Sequence, residues 1–309
     1  MNTSDNPEKD QLERIVESLC RPDPGSVLFH RHRHEVPMPS VALLESIIDG
    51  LRAVLFPGYF GHSDLTPQNL RYHVGAGLDR TLGLLAEQIK RGYCFFCSTA
   101  EINCAECDAR ATRITADFAR SLPEVQALLS TDVQAAFVGD PAARHPGEAV
   151  FCYPSITAMT HYRIAHELHR LGVPLIPRMI TEFSHSRTGI DIHPGASIGK
   201  SFFMDHGTGI VIGETSIIGE NVRLYQGVTL GAKSFPVDEH GNPLKGMPRH
   251  PIVEDDVTIY AGATILGRVT IGRGAVIGGN VWVTSSVPPA STITQGRPVM
   301  TGYVDGDGI

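Results

Sequence analysis

The sequence predicts an α+β protein: an N-terminal all-helical domain followed by a left-handed parallel β-helix of hexapeptide repeats with an extended C-terminal tail. Three observations predict it. Aliphatic residues recur at every sixth position between residues 190 and 290, apolar residues upstream recur at helical spacing, and Pro and Gly crowd the end of the chain. The repeat runs through Ile192, Ile198, Met204 and Ile210, then Ile212, Ile218, Leu224 and Leu230, then Val253, Ile259, Ile265, Ile271, Ile277 and Val283. A hexapeptide period is the signature of a parallel β-helix. The inward aliphatic fills the core, and the small residue that follows, as in Ile198-Gly199 and Ile218-Gly219, lets the chain turn a corner. Three hexads make one triangular coil, so neighbouring coils stand about 18 residues apart.

The elements follow in order. Residues 1–20 form a charged lead that becomes helical through Leu12, Ile15, Val16 and Leu19. Residues 22–39 hold four prolines and the run His30-Arg31-His32-Arg33-His34, read as a solvated linker. Residues 40–56 are helical, with Val41, Leu44, Ile47, Ile48, Leu51 and Leu55 on one face, Ser40 as N-cap and Pro57-Gly58 as terminator. A second pattern covers 67–91. Helices are then expected over 108–121 and over 123–137, the latter opened by Pro123 at a first-turn position. Residues 154–171 form a strong helix that stops at Gly172, with Pro174 beyond. A short helix over 177–187 leads into the repeat. The boundaries expected are a helical domain over 1–187, a β-helix over 188–290 with a looped-out insertion at 232–250, and a tail over 291–309.

The 309 residues suffice for two domains. A content of 42% hydrophobic and 19% charged residues is that of an ordinary soluble protein. The net charge of −7 argues against a nucleic-acid partner, no apolar run is long enough to span a bilayer, and no secretory h-region follows Met1. A cytoplasmic location is expected. Four of the six cysteines form Cys94-x2-Cys97-x6-Cys104-x2-Cys107. Paired thiolates at this spacing can grip one tetrahedral Zn²⁺; structural thiols in a helical hairpin are the other reading.

A regular solenoid is a scaffold, so function belongs where the repeat breaks. One break is the slip of phase between Ile210 and Ile212, just after Asp205-His206-Gly207-Thr208-Gly209. The other is the polar stretch between Leu230 and Val253, which must loop out and ends in Arg249-His250-Pro251. Asp191 precedes His206 by 15 residues, just under one coil, so the two stand on adjacent coils. A carboxylate beside an imidazole makes a general base, fixing its tautomer and stabilising the imidazolium. Arg249 could hold a carboxylate through two parallel hydrogen bonds. No nucleophile elbow, P-loop or dinucleotide fingerprint is present.

At these residues the chain resembles the serine O-acetyltransferases. The stretches that carry the resemblance are Asp191-Ile192-His193-Pro194-Gly195-Ala196, Asp205-His206-Gly207-Thr208-Gly209-Ile210-Val211-Ile212-Gly213-Glu214-Thr215, Gln226-Gly227-Val228-Thr229-Leu230-Gly231, Arg249-His250-Pro251 and Ala261-Gly262-Ala263-Thr264-Ile265-Leu266-Gly267, with Asp132-Val133-Gln134-Ala135 and Tyr162-Arg163-Ile164-Ala165-His166 upstream. The resemblance implies acetyl transfer from acetyl-CoA to the L-serine hydroxyl for cysteine synthesis. His206 would be the base, Asp191 its orienting acid, Asp132 and Asp205 the partners of the serine ammonium, and Arg249 with His250 the carboxylate clamp. It further implies a homotrimer or a dimer of trimers. An acetyl-CoA slot would lie between subunits at Gly231, Ala232, Ala261, Gly262, Gly278 and Gly279. The ending Gly306-Asp307-Gly308-Ile309 resembles tails that dock into O-acetylserine sulfhydrylase, with Ile309 in the partner's active site. Inhibition by L-cysteine is a family expectation.

The 232–248 loop is longer than in compact members and resembles a long bacterial subgroup, and the first 120 or so residues have no counterpart in compact members. The competing readings are a same-fold acetyltransferase for another amino-acid or sugar acceptor, a non-catalytic regulator of the sulfhydrylase, and a hexapeptide-repeat carbonic anhydrase built on His193, His206 and His250.

Overall fold

The structure, a computed structural model, describes residues 7–21, 36–62, 64–97, 104–234 and 236–296. Seven helices come first among them: α1 (Pro7–Cys20), α2 (Val41–Leu55), α3 (Leu70–Phe96), α4 (Cys104–Gly139), α5 (Pro146–Cys152), α6 (Pro154–Arg170) and α7 (Ile176–Thr188). Ser40 caps α2 by accepting the Leu43 N–H, and the expected apolar face buries Leu44, Ile47, Ile48, Leu51 and Leu55.

The helix over 108–121 and the one over 123–137 are a single element, α4, with Pro123 inside it. Proline lacks the N–H that would reach back four residues and usually breaks a helix. Here Phe118, Leu122, Val125 and Leu129 on both sides of Pro123 are buried in one core, and that shared burial offsets the lost bond. The short α5 carries too few residues for periodicity to reveal it; Pro146 starts it, and the His145 ring caps it by accepting the Gly147 N–H.

The repeat forms five coils of a left-handed parallel β-helix. The first holds β1 (Asp191–Ile192), β2 (Ser197–Ile198) and β3 (Phe203–Asp205); the second β4 (Val211–Ile212), β5 (Ile217–Ile218) and β6 (Arg223–Tyr225); the third β7 (Thr229–Gly231), β8 (Ile252–Val253) and β9 (Thr258–Ile259). The fourth holds β10 (Thr264–Leu266), β11 (Thr270–Ile271) and β12 (Val276–Ile277), and the last β13 (Trp282–Val283) and β14 (Thr292–Ile293). The faces are the sheets β1-β4-β7-β10-β13, β2-β5-β8-β11 and β3-β6-β9-β12-β14. The aliphatics stack in register, for example Ile192 on Ile212 on Leu230 on Ile265 on Val283. Each such side chain contributes about 1.5–3 kcal/mol by leaving water.

Three corners join the faces. The first lies between the first and second strands of a coil, the second between the second and third, and the third between the third strand and the next coil. The repeat breaks fall on two of them. The slip around Ile210 enlarges the third corner of the first coil, and the long loop leaves from the first corner of the third coil.

The helical region is fastened to the first coil by polar side chains of α6. The Tyr162 hydroxyl donates to the Ala196 carbonyl at 2.6 Å, a His166 ring nitrogen lies 2.8 Å from the Pro194 carbonyl, and Arg163 donates to the Gly199 carbonyl at 2.9 Å. No helix among the described residues is long and apolar enough to cross a membrane. Cys94 lies near the end of α3, Cys97 caps it and Cys107 is buried in α4. The Cys104 side chain lies outside the described residues. Among the described residues no group of three His, Cys, Asp or Glu is arranged to hold a metal ion.

Candidate active site at two corners of the solenoid

His206 occupies the enlarged third corner between β3 and β4. Its φ of +57° is left-handed, a conformation that costs an L residue about 1–2 kcal/mol. Its imidazole side chain is 72% exposed. Its Nε2 lies 3.8 Å from Asp205 Oδ1.

A second carboxylate belongs to this corner, and sequence reading missed it. Asp140 follows α4, where Gly139-Asp140-Pro141 stops the helix. It accepts the Tyr153 hydroxyl at 2.5 Å and the Ala142 N–H at 2.8 Å. The Tyr153 bond first, then the Ala142 N–H, hold its carboxyl below the usual range, and nearby His206 acts in the same direction. The same bond pushes the Tyr153 phenol up, with Asp205 adding to it. The only signal in the sequence is a helix-stopping Asp-Pro, which most often means a turn.

Asp191 opens β1 directly beneath Val211 in the register, so it borders the corner of His206 from the other side, within the same first coil rather than on an adjacent one. The two corner segments are tied where the Gly209 N–H meets the Gly189 carbonyl at 2.8 Å. Asp191 Oδ1 faces Arg178 Nη1 at 3.6 Å. Among the described residues no hydrogen bond joins Asp191 to His206.

Asp132, expected to meet the serine ammonium, is not in this corner. It is fully buried, and both carboxylate oxygens are taken by Arg163, with one shared by the Phe202 N–H. Burial pushes its carboxyl upward, against the pull of Arg163 and of the Phe202 N–H.

Arg249 and His250 close the long loop at the first corner. Thr215 organises them: its hydroxyl accepts the Arg249 and His250 N–H groups at 2.9 and 3.1 Å. The Thr215 N–H donates to His250 Nδ1 at 3.0 Å, so the neutral ring carries its proton on Nε2. Burial, then the neighbouring Arg249, push His250 down to about 4. The ring packs against Gly213, where an added Cβ would overlap it. Arg249 Nη2 donates to Glu214 Oε2 at 2.6 Å. Burial works to raise the Glu214 carboxyl, and the Arg249 bond with the charge of His193 outweighs it, leaving it below the usual range. His193 sits at the same corner, its pKa lowered mainly by burial.

The expected site residues thus fall into two half-sites. His206, Asp205 and Asp191 surround one corner, along with Ala261, Gly262, Gly278 and Gly279 higher up it. Arg249, His250, Gly231 and Ala232 surround another. The three histidines of the carbonic anhydrase reading are divided between them. Ile309 lies outside the described residues.

Residues 250–285 match the bacterial transferase hexapeptide family model (six repeats). A plasmid-encoded serine acetyltransferase of Synechococcus elongatus is 51% identical over 96% of this chain and 95% of its own length. Serine acetyltransferase 1 of Entamoeba histolytica, solved in complex with L-cysteine, superposes with a TM-score of 0.71 at 34% identity, covering 93% of this chain and 96% of that one. A serine acetyltransferase solved in complex with CoA superposes at 0.51 and 25% identity, covering 82% of this chain and 96% of that one. With half of its residues shared with a named relative along nearly the whole length, this chain belongs to the serine acetyltransferase family.

Proposed function

We propose that the protein transfers the acetyl group of acetyl-CoA to the hydroxyl of L-serine, giving O-acetylserine and CoA, with His206 as general base. The observation that carries this is the exposed His206 imidazole at a corner bordered by Asp205, Asp140 and Asp191. His206 takes the serine hydroxyl proton as the oxygen attacks the thioester carbonyl carbon. The tetrahedral intermediate then collapses, the C–S bond breaks, and the imidazolium returns the proton to the departing thiolate. A serine hydroxyl is far too weak an acid to ionise unaided, so a positioned base is worth about 10²–10⁴-fold. Asp191 orients the imidazole once the ring turns toward it. Asp205 and Asp140 hold the serine ammonium, and Arg249 with the Nε2–H of His250 hold its carboxylate.

The ammonium side and the carboxylate side lie on different corners of one protomer. A second copy set against the first brings a third corner and a first corner together, so the working unit is a homotrimer, and two trimers can pair through the helical domains. The relative bound to CoA supports the co-substrate, and the L-cysteine complex supports an amino-acid site that L-cysteine also enters as inhibitor. A cytoplasmic enzyme follows from a reaction that draws on acetyl-CoA. The segment that ends in Ile309 docks into O-acetylserine sulfhydrylase; deleting Ile309 abolishes that affinity, and undiminished binding refutes the docking.

The test is thiol release from acetyl-CoA with L-serine, with L-homoserine and without acceptor, in wild type and His206→Ala. Release that needs serine and falls at least 100-fold in the variant is the expected result. Release driven equally by homoserine moves the acceptor, and retained turnover in His206→Ala removes the base.

A further inference from the structure

The corner of His206 continues up the solenoid as a column of three glycines, closed at its upper end by the Asn280 side chain over Gly262. Gly209, Gly227 and Gly262 stack there with φ of +79°, +71° and +69°. A Cβ on Gly209 would lie 3.5 Å from the Gly227 Cα, and one on Gly227 would lie 3.5 Å from the Gly262 Cα. Their N–H groups bond down the axis, Gly227 to Thr208 and Gly262 to Gln226. Bare backbone of this kind admits a thin chain laid close along it.

Two columns of outward side chains border the strip. On one side Tyr225 stands in register on Asp205. The pairing of β6 with β9 sets Tyr260 over Tyr225, their rings stacked at 4.9 Å and 16°. On the other side the register aligns Asp191, Val211, Thr229, Thr264 and Trp282. Each border begins with a carboxylate of the first coil, Asp205 or Asp191, and reaches an exposed aromatic farther up. Trp282 is the only tryptophan of the chain and is 69% exposed. A large flat apolar ring left in water is the kind of surface residue that asks for an explanation.

We propose that Trp282 stacks against the adenine ring of acetyl-CoA, with the pantetheine arm lying along the glycine strip and the thioester at His206. The proposal rests on the acetyl-CoA reading above. Trp282 stands three strand spacings above Val211, about 14 Å along the axis, a separation suited to the reach of an extended pantetheine arm. Tyr260 walls the arm on the opposite side. An indole offers a broad aromatic platform for a purine, and such stacking is worth about 5- to 150-fold in affinity per base.

Because the chain has one tryptophan, its emission reports on this position alone. The experiment titrates the full-length protein with CoA and with pantetheine, which lacks the adenosine. It also measures KM for acetyl-CoA and for acetyl-pantetheine in wild type, Trp282→Ala and Trp282→Phe, with the oligomeric state of each followed by sedimentation. CoA is expected to quench the emission saturably and pantetheine to leave it unchanged. Trp282→Ala narrows the preference for acetyl-CoA over acetyl-pantetheine about tenfold or more, and Trp282→Phe restores part of it. CoA binding that leaves the emission untouched, an unchanged preference in Trp282→Ala, or copies that separate in that variant overturns the proposal. A wild type that uses neither thioester refutes the acetyl-CoA reading itself.

Discussion

Arg163 and Asp132 form a doubly hydrogen-bonded ion pair, Nε to Oδ2 at 2.6 Å and Nη2 to Oδ1 at 2.9 Å, at a place where both side chains are sealed from water. The pair links α4 to α6 and reaches on to the first coil, where Arg163 meets the Gly199 carbonyl and Asp132 takes the Phe202 N–H. It is a joint between the helical region and the solenoid.

Removing one partner of a buried pair strands the other charge, which costs about 3–5 kcal/mol. Asp132→Ala is expected to lower the free energy of urea unfolding by that amount while the folded fraction keeps its serine KM. A variant of normal stability with a serine KM raised tenfold would return Asp132 to the substrate.

Asp140 is expected to behave in the opposite way. Its half-buried carboxylate lies near His206, so Asp140→Asn should raise the serine KM about tenfold or more with little effect on unfolding. Tyr153→Phe removes the bond that most lowers the Asp140 carboxyl. A carboxylate with a lowered pKa gives its contribution above that pKa and loses it as pH falls through it. The acid limb of kcat/KM for serine should therefore move to higher pH in Tyr153→Phe. An acid limb that stays in place would separate Asp140 from the serine site.

The solenoid was legible because its period is strict: every inward aliphatic of the repeat is buried in the core, and both breaks of phase fall on corners of the coil. The pairing of Asp191 with the corner of His206 was legible because one coil is a fixed number of residues. Asp140 was not, since it reaches the corner through a helix end packed on the solenoid, and no periodicity links residue 140 to residue 206. The pairing of Asp132 with Arg163 was not legible either, because a charged residue inside a matched stretch looks the same in sequence whether it meets a ligand or an arginine. The division of the site between two corners is likewise a property of the triangle, not of the spacing.

At the other corner, Glu214 holds the fork of Arg249. If that bond positions the clamp, Glu214→Gln should raise the serine KM several-fold and leave the acetyl-CoA KM in place, with Arg249→Ala raising the serine KM further. Gly213→Ala should do more damage than either to folding, because the new Cβ overlaps the buried His250 ring; overpacking of this kind costs about 1–3 kcal/mol. A fall in the serine KM of Glu214→Gln would show instead that Glu214 competes with the substrate for Arg249.

His161 gives the pH dependence of stability. The ring is fully buried on α6 against Phe183, its Nδ1 meets the Thr157 carbonyl at 2.7 Å, and its Nε2 has no hydrogen-bond partner among the described residues. Burial pushes its pKa from 6.5 down to about 4, with Arg52 and Arg187 acting in the same direction against Asp49. Between those values the unfolded chain binds a proton at this position and the folded one does not, so stability rises with pH across the window and is fully present above 6.5. The loss on acidification to pH 4 is on the order of 3 kcal/mol for this one ring. His250 is lowered to about 4 as well and adds to the slope. His161→Leu, which cannot take up a proton, should therefore show a shallower fall of urea-unfolding free energy between pH 6.5 and 4 than wild type. It should also keep the part of the slope that belongs to His250. Parallel curves for the two proteins would mean that His161 carries the same charge folded and unfolded.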